Sequence, residues 1–381
     1  MIHAVSQYML SVLHLDKMSR TLSSRYVYPI CDDAGMPRCR VGNSVITFEV
    51  MDGEIHSALR VYMRPHRNLK AIYGKNYYPN ELLVGSLDSS SRLVDVVLCE
   101  WHEGETLQTK IEKICCEPQK MAALSRMFEE FAVTLLNKPW AHGDLKPENI
   151  IVGKSGLHLI DLDASYHPGF SIDDCVEIGT RQYQHPQLTA DVFDKSIDDY
   201  PIALIATALA AMSLDKRVGR SLSDSDHLLI TPHLAVAGKD EVLDYIEKLF
   251  AEVGDVRHYR IARLLRSSCP ALPQLKQLLE MNLREVEESD ELSVEYSNGY
   301  WGYAVRSEFV IPPYYDLAFD FSEGLGLVRI ADIWHFIDRT GRVVITCGRG
   351  SGIKPFRNGV TRMKRDGGDV VIYRDGRIEK G

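Results

Sequence analysis

Apolar residues recur along this chain with a spacing that changes from one stretch to the next. Val5, Tyr8, Met9, Val12 and Leu13 fall at helical spacing and predict a short amphipathic helix over residues 4 to 15. From Arg25 to Arg64 the pattern turns to strands. Tyr26 to Cys31 precedes an Asp-Asp-Ala-Gly turn, Ser44 to Met51 alternates, Asp52-Gly53-Glu54 reads as a hairpin turn, and Ile55 to Met63 returns. Two more strands are expected at Glu81 to Val84 and Leu93 to Glu100, which makes a small antiparallel sheet of five. After Gly104 the spacing becomes helical, at Gln108 to Ile114 and Lys120 to Leu136. Ile150-Ile151-Val152 and Leu157 to Ile160 flank a Gly-containing turn and predict two short strands. An irregular segment covers 162 to 196, a strongly apolar helix begins near Asp198, and further helices occupy about 222 to 280.

Composition and charge narrow the class. A chain of 381 residues exceeds one ordinary core, so two or three domains are expected, and 45% hydrophobic with 25% charged residues is a soluble globular composition. The first thirty residues hold His3, His14, Asp16, Lys17, Arg20 and Arg25 with no uninterrupted apolar run, which argues against a signal peptide. The longest apolar stretch, Pro201 to Leu214, is fourteen residues, short for a bilayer span and better read as a buried helix, so no membrane partner is expected. Eight scattered cysteines include adjacent Cys115 and Cys116 but no C-x-x-C pair, which supports neither zinc nor a disulfide framework and points to the cytoplasm. The net charge of −9 is uneven, because residues 338 to 381 carry eleven Lys/Arg against five Asp/Glu. Alternating Arg and Asp on the exposed faces of a small β domain accounts for this, and without interleaved aromatics a nucleic acid partner is not expected.

The densest chemistry lies at residues 142 to 149, His-Gly-Asp-Leu-Lys-Pro-Glu-Asn. Asp144, Lys146 and Asn149 stand at the spacing that phosphoryl transfer needs on a short loop. The acid accepts a hydroxyl proton, the cation neutralises a phosphate, and the amide holds a magnesium ion bridging the phosphates. Two short strands then present Asp161 beside Asn149, a pair of oxygen ligands with room for retained waters. An isolated Asp-x-x-x-x-Asn is a common accident of turns and caps. Here His142, Leu145 and Pro147 match too, and Ile160-Asp161-Leu162-Asp163 begins eleven residues after Asn149.

With a β-rich segment before this loop and helices around it, residues 25 to 280 resemble the protein kinase family. The resemblance implies an α+β, bilobal fold: a small antiparallel β lobe at 25–101 and a helical lobe at 102–282, after a helical extension at 1–24. It implies transfer of the γ-phosphoryl of ATP, with Mg²⁺, to Ser or Thr of a protein, possible autophosphorylation included. Asp144 would be the base, Lys146 the charge neutraliser, and Asn149 and Asp161 the metal ligands. Gly179-Thr180-Arg181-Gln182-Tyr183-Gln184-His185-Pro186-Gln187 resembles the end of a kinase activation segment, which implies that Thr180 sits near Asp144 and Lys146. Asp198-Asp199-Tyr200-Pro201 is similar to the start of the central buried helix, where Asp198 would brace the loop. Val97 to Leu107 is similar to the hinge, where backbone groups of Glu100, Trp101 and His102 would pair with adenine.

Departures from the family pattern bear on activity. Ala58-Leu59-Arg60-Val61-Tyr62 resembles the third-strand Ala-x-Lys motif with Arg60 in place of the lysine, a longer, forked cation expected on the α and β phosphates. The glycine-rich loop keeps only Gly42. Arg64 to Glu81 is too short for a full regulatory helix, and Glu81 is the only nearby candidate to pair with Arg60, the alternative being that it begins a strand. Gly143 stands where many kinases have Arg, so no phosphate-operated switch is expected. His-Gly-Asp and Ile160-Asp161-Leu162-Asp163 also resemble antibiotic and choline phosphotransferases, which leaves a small-molecule acceptor as one alternative and a pseudokinase scaffold as another.

Beyond an acidic linker at 283–295, aromatic and glycine landmarks repeat. Trp301 and Trp334 are 33 residues apart, and Phe321 to Phe356 and Gly341 to Gly376 each span 35. Such a period signals a repeat array. The signature over 296–381 resembles WG repeats, which implies a β-rich interaction module with a protein partner, and Trp301 and Trp334 as core anchors. Two and a half repeats are few for a free-standing array, so docking on the kinase-like lobe is expected.

Overall fold

The computed structural model describes residues 4–85, 91–220, 228–280 and 290–381, and two units are built from interleaved stretches of sequence. The first unit takes 1–107, 139–179 and 189–195, and the second takes 108–138, 180–188 and 196–381. Antiparallel sheets and helices occur in both, an α+β architecture with a β-rich C-terminal region.

In the first unit, α1 (Val5–Leu13) and α2 (Leu15–Met18) precede six strands: β1 (Val27–Pro29), β2 (Cys39–Val41), β3 (Val45–Asp52), β4 (Ile55–Tyr62), β5 (Tyr77–Val84) and β6 (Arg92–Glu100). The order is β1-β3-β4-β6-β5, and β2 shares the outer edge of β3 with β1. Strand β2 is additional to the five that the pattern predicts, because Arg38-Cys39-Arg40-Val41 alternates charge rather than buried apolar groups and Val41 is exposed. β5 starts four residues before Glu81. Its Pro79 is tolerated on an edge strand, and the register slips between Tyr78 and Leu82 around Asn80 at φ +48°.

The pleat divides this sheet into two faces. Ile46, Phe48, Val50, Leu59, Val61, Val94, Val96 and Leu98 pack with Tyr8, Val12 and Leu15 of the two helices in one core. Each such residue contributes about 1.5–3 kcal/mol by leaving water. Period-two geometry therefore sends Thr47, Ala58, Arg60, Tyr62 and Cys99 to the opposite face. On that side lie the short helix α3 (Leu69–Tyr73) and a second small sheet of β7 (Glu105–Thr106), β8 (Ile150–Gly153) and β9 (Gly156–Leu159).

The second unit contains α4 (Leu107–Ile114), α5 (Pro118–Leu136), α6 (Asp199–Leu214), α7 (Lys216–Arg220), α8 (Pro232–Val236), α9 (Glu241–Val253), α10 (Val256–Leu264) and α11 (Leu275–Leu279). Every residue of α6 from Asp199 to Met212 is buried, which explains its lack of a polar face. Lys195–Leu214 is apolar and long enough to cross a membrane, but 89% of that window is buried inside the protein. Expected helical residues 222 to 227, and 281 to 289 with most of the acidic linker, lie outside the described residues. Ser293 already begins β10.

Three antiparallel meanders follow: β10 (Ser293–Ser297), β11 (Tyr300–Val305) and β12 (Glu308–Tyr315); then β13 (Leu317–Ala318), β14 (Gly326–Ile330), β15 (Ile333–Ile337) and β16 (Val343–Arg349); then β17 (Val360–Arg365), β18 (Gly368–Tyr373) and β19 (Ile378–Lys380). Trp334 is a core anchor beside Phe336 and Phe356, and its indole N–H donates to the Gly350 carbonyl at 3.1 Å. Trp301 is only half-buried and lies against Tyr296 at 5.0 Å. The glycine after it has a backbone reason: a Cβ on Gly302 would meet the Ile311 carbonyl oxygen at 2.5 Å, where β11 bulges against β12.

The meanders dock on α9 and α10 through two buried polar side chains. Arg260 donates to the Tyr314 carbonyl at 2.8 Å and to Asp316 at 2.9 Å, and its guanidinium lies 3.8 Å from the Tyr300 ring centroid. His335, fully buried on β15, donates from Nε2 to the Ala251 carbonyl at 2.9 Å and faces Thr346 Oγ1 at 3.2 Å through Nδ1. A second histidine in this unit is charged rather than neutral. His258 bridges Asp255 at 2.6 Å and Glu129 at 2.9 Å, and Arg257 completes the group on Glu129 at 2.7 Å.

The two histidines make opposite contributions to pH stability. Burial pushes His335 down to about 4 from 6.5, so its contribution is full above 6.5 and is lost as pH falls towards 4. Burial also opposes charge on His258, but Asp255 and Glu129 outweigh it and raise its pKa to about 9, so that contribution is full below 6.5 and is lost as pH rises through about 9. Between pH 7 and 4.5, wild type should lose about 2–3 kcal/mol more unfolding free energy than His335→Gln, measured by denaturant titration at both pH values. Equal losses would mean that His335 is not held neutral.

Candidate functional site

A cavity of about 320 Å³ opens between the two sheets of the first unit. Ala58, Ile72, Ile151 and Leu159 give it apolar walls, and Arg60, Asp161 and Asn76 bring polar groups to it. Cys99, Glu100, Trp101 and His102 line the end where β6 runs out. Such a size lies at the small end of ordinary ligand cavities.

Trp101 and His102 are fixed by their neighbours. Trp101 stacks on His56 at 5.1 Å with Arg40 above it at 5.8 Å, and its backbone N–H donates to the His56 carbonyl at 3.3 Å. His102 stacks on His158 at 4.4 Å, and burial followed by the neighbouring His158 lowers its pKa. Glu100 is exposed. Burial raises the Cys99 thiol to about 11, so it stays protonated at neutral pH.

The loop at 142–149 is pegged by its first residue. Fully buried His142 donates from Nε2 to the Ile160 carbonyl at 2.9 Å, while its Nδ1 accepts the Asp144 backbone N–H at 3.2 Å. One imidazole thereby joins the loop to the end of β9, next to Asp161. Within the loop, Asn149 Nδ2 donates to the Asp144 carbonyl at 2.9 Å and to its carboxylate at 3.1 Å, and Lys146 Nζ lies 3.2 Å from the same carboxylate. Gly143 has φ +80°, and a Cβ there would meet the Ala164 carbonyl oxygen at 2.1 Å. Backbone crowding alone accounts for glycine at this position.

Arg60 crosses from β4 to the turn after β9. Its Nη2 donates to Asp161 at 2.6 Å and to Asp163 at 2.7 Å. Asp163 also accepts from the Tyr62 hydroxyl at 2.8 Å and from the Tyr73 hydroxyl at 2.6 Å. Burial opposes the charge on Arg60, yet the surrounding phenols and carboxylates hold its pKa well above the usual guanidinium value. Asp161 itself is left-handed, at φ +63°. On the following segment, partial desolvation and then the charges of Asp144, Asp161 and Asp163 raise the Glu177 carboxyl, with Lys146 opposing them. Negative charge is thus in excess where loop and turn meet.

Glu81 and Gly42 take other places than expected. Glu81 does not pair with Arg60: it is 2% exposed, and its carboxylate accepts the N–H groups of Thr21 at 2.6 Å and Leu22 at 2.8 Å and the Thr21 hydroxyl at 2.8 Å. It satisfies the orphan donors at the start of the turn Leu22–Arg25, a role that nothing in local spacing signals. Gly42 forms the β2–β3 turn, with its N–H on Val45 O at 2.9 Å. The cavity is lined from that hairpin by Arg40 and Thr47 instead. Thr180 and Asp198 belong to the second unit, where Asp198 is buried just before α6. Tyr62, Tyr73 and Arg40 have no sequence motif and emerge only from the pleat and from α3. Ser165, a hydroxyl that a kinase reading offers for autophosphorylation, is 1% exposed and bonded to His167 at 3.0 Å.

Asn149, Asp144 and the half-exposed Asp161 carry hard oxygen donors on the loop and the turn after β9. Among the described residues no three His, Cys, Asp or Glu side chains converge to hold a metal by themselves. Magnesium usually takes one or two carboxylates and completes its shell with waters and substrate phosphates, so this donor set fits it when nucleotide is present.

Comparison with known proteins is informative at the C-terminal end. Residues 307–334 match the family model described as WG containing repeat, so the β-rich region carries a WG repeat that runs from β12 to Trp334 of β15. No curated protein matches the chain.

Gly143→Ala should lower unfolding free energy by about 3 kcal/mol or more, because it adds both a left-handed strain and a backbone clash. Gly42→Ala, 3.1 Å from Val45 O and outside the left-handed region, should cost about 1 kcal/mol or less. Similar costs in parallel urea titrations would remove the backbone explanation for Gly143.

Proposed function

We propose that this protein is a protein-kinase-like phosphotransferase, which takes ATP with Mg²⁺ and transfers the γ-phosphoryl to Ser or Thr of a protein. The reading is carried by one observation. Asp144, Lys146 and Asn149 are tied through His142 to the strand end bearing Asp161, and Asp161 shares a salt bridge with Arg60 at the wall of a cavity with apolar sides. Asp144, hydrogen-bonded by Asn149 and close to Lys146, is the group that accepts the acceptor hydroxyl proton. Lys146 and Arg60 offset phosphate charge, and Asn149 and Asp161 hold the metal. The bound Mg²⁺ supplies charge neutralisation between the phosphates. Catalysis is then positioning and electrostatics, with the nucleotide base lodged towards Trp101 and His102. The WG region serves as a docking module for a protein partner.

A second reading has its own support. Because Arg60 engages Asp161 at 2.6 Å and Asp163 at 2.7 Å, its charge is already met by protein carboxylates, as in a non-transferring scaffold. Label transfer from γ-labelled ATP decides between them. Wild type should label protein, and Asp144→Asn should lose about 10²–10⁴-fold in rate while keeping its thermal shift with ATP and Mg²⁺. At 100 times the dissociation constant that shift corresponds to about 2.7 kcal/mol. A shift without transfer would favour the scaffold. Label on an aminoglycoside or choline but never on protein would replace the acceptor class.

A further inference from the structure

On the reading just proposed, Arg60 is the cation that faces the nucleotide phosphates, and something must hold it there. A helix-borne carboxylate is not at hand. Helix α3 has five residues, none of them acidic, and Glu81 is taken up by Thr21 and Leu22. We infer that Asp163 is the positioning residue for Arg60, and that the two aspartates of Asp161-Leu162-Asp163 divide the work, Asp163 anchoring the cation and Asp161 serving the metal.

The division follows from how differently the two carboxylates are surrounded. Asp163 is 11% exposed at its side chain, against 48% for Asp161. Its Oδ2 takes the Arg60 guanidinium at 2.7 Å, and its Oδ1 takes both phenols, Tyr62 at 2.8 Å and Tyr73 at 2.6 Å. Its main chain is fixed as well, because the Asp163 carbonyl lies 3.1 Å from His66 Nε2. Such a carboxylate has little capacity left for a metal. Asp161 is half-exposed and lines the cavity, placed by a left-handed backbone at the start of the turn Leu162–Ala164.

The clamp uses three separate elements. Arg60 and Tyr62 lie two residues apart on one face of β4, so the pleat aims both at Asp163. Tyr73 arrives from α3, and Asp163 itself stands in the turn after β9. When phosphates and metal arrive, Arg60 exchanges Asp161 for phosphate and keeps Asp163. Arg60 thus has one buried partner, Asp163, and one half-exposed partner, Asp161, that phosphate can replace.

The experiment has a nucleotide-free arm and a turnover arm, both on the full chain. In the absence of nucleotide, thermal unfolding of Arg60→Gln, Asp163→Asn, Asp161→Asn and the two doubles forms two cycles. Arg60 and Asp163 should be strongly non-additive, and Arg60 and Asp161 more weakly so, because Asp161 is half-exposed. Additivity of Arg60 with Asp163 overturns the proposal. In ATP turnover, Asp163→Asn should raise KM for ATP by about tenfold or more with kcat falling less, whereas Asp161→Asn should abolish kcat with a smaller change in KM. Loss of kcat in Asp163→Asn with KM unchanged would make Asp163 a metal ligand and sink the division. Tyr73→Phe removes one hydroxyl and keeps the fold testable if Asp163→Asn does not fold. It should raise KM about two- to fivefold with kcat intact, and an unchanged KM counts against the clamp. If wild type turns over no ATP, the phosphotransferase reading falls by itself, and the nucleotide-free cycle still decides what Asp163 holds.

Discussion

Burying a guanidinium without anionic partners costs several kcal/mol, so wherever Arg60 is placed, carboxylates must be brought to it. The pleat of β4 places it: with Leu59 and Val61 committed to the core, Arg60 has only the opposite face available. Its partners come from the turn after β9, about a hundred residues further along the chain. That one charge joins the large sheet, α3 and the small sheet of the first unit, and the cavity lies among the same elements. Remove the charge, and Asp163 with its two phenols would have a buried anion and no cation.

The loop at 142–149 depends on this arrangement for its neighbours but not for its shape. His142 and Gly143 set the shape, one by filling a polar pocket between Asp144 N–H and Ile160 O, the other by leaving room for the Ala164 carbonyl. An arginine at position 143 would offer a receptor for phosphate, and glycine offers none. Geometry gives a nearer cause, since no side chain fits there at all. Only the steric cause follows from contacts.

In the second unit the WG repeat region and the helices share buried polar contacts instead of a purely apolar seam. Arg260 and His335 bond to backbone carbonyls across the junction, contacts that demand one register and reject others. Gly302 shows what the chain's single Trp-Gly pair does: the tryptophan lies against Tyr296, and the glycine lets β12 come close. Trp334 has His335 after it, and there the side chain is used to reach α9. Local spacing announced the repeats but not which of their positions would face the helices.

Most elements of this fold are legible because their periodicity is local. Alternation in Val45–Asp52, the apolar length of α6 and the turn residues between β8 and β9 each need only a few neighbours to be read. The spacing of Asp144, Lys146 and Asn149 is local too, so these three candidate residues stand out in the chain alone. What the sequence could not decide is pairing across distance. Glu81 looked like the partner of Arg60 because both lie in one stretch, yet the donors of Thr21 and Leu22 are closer in space. Asp163 won instead because β4, α3 and the turn after β9 converge on it. A local period fixes which face a side chain takes; which buried charge meets which is settled only when the whole set of elements closes and each must find a partner out of water.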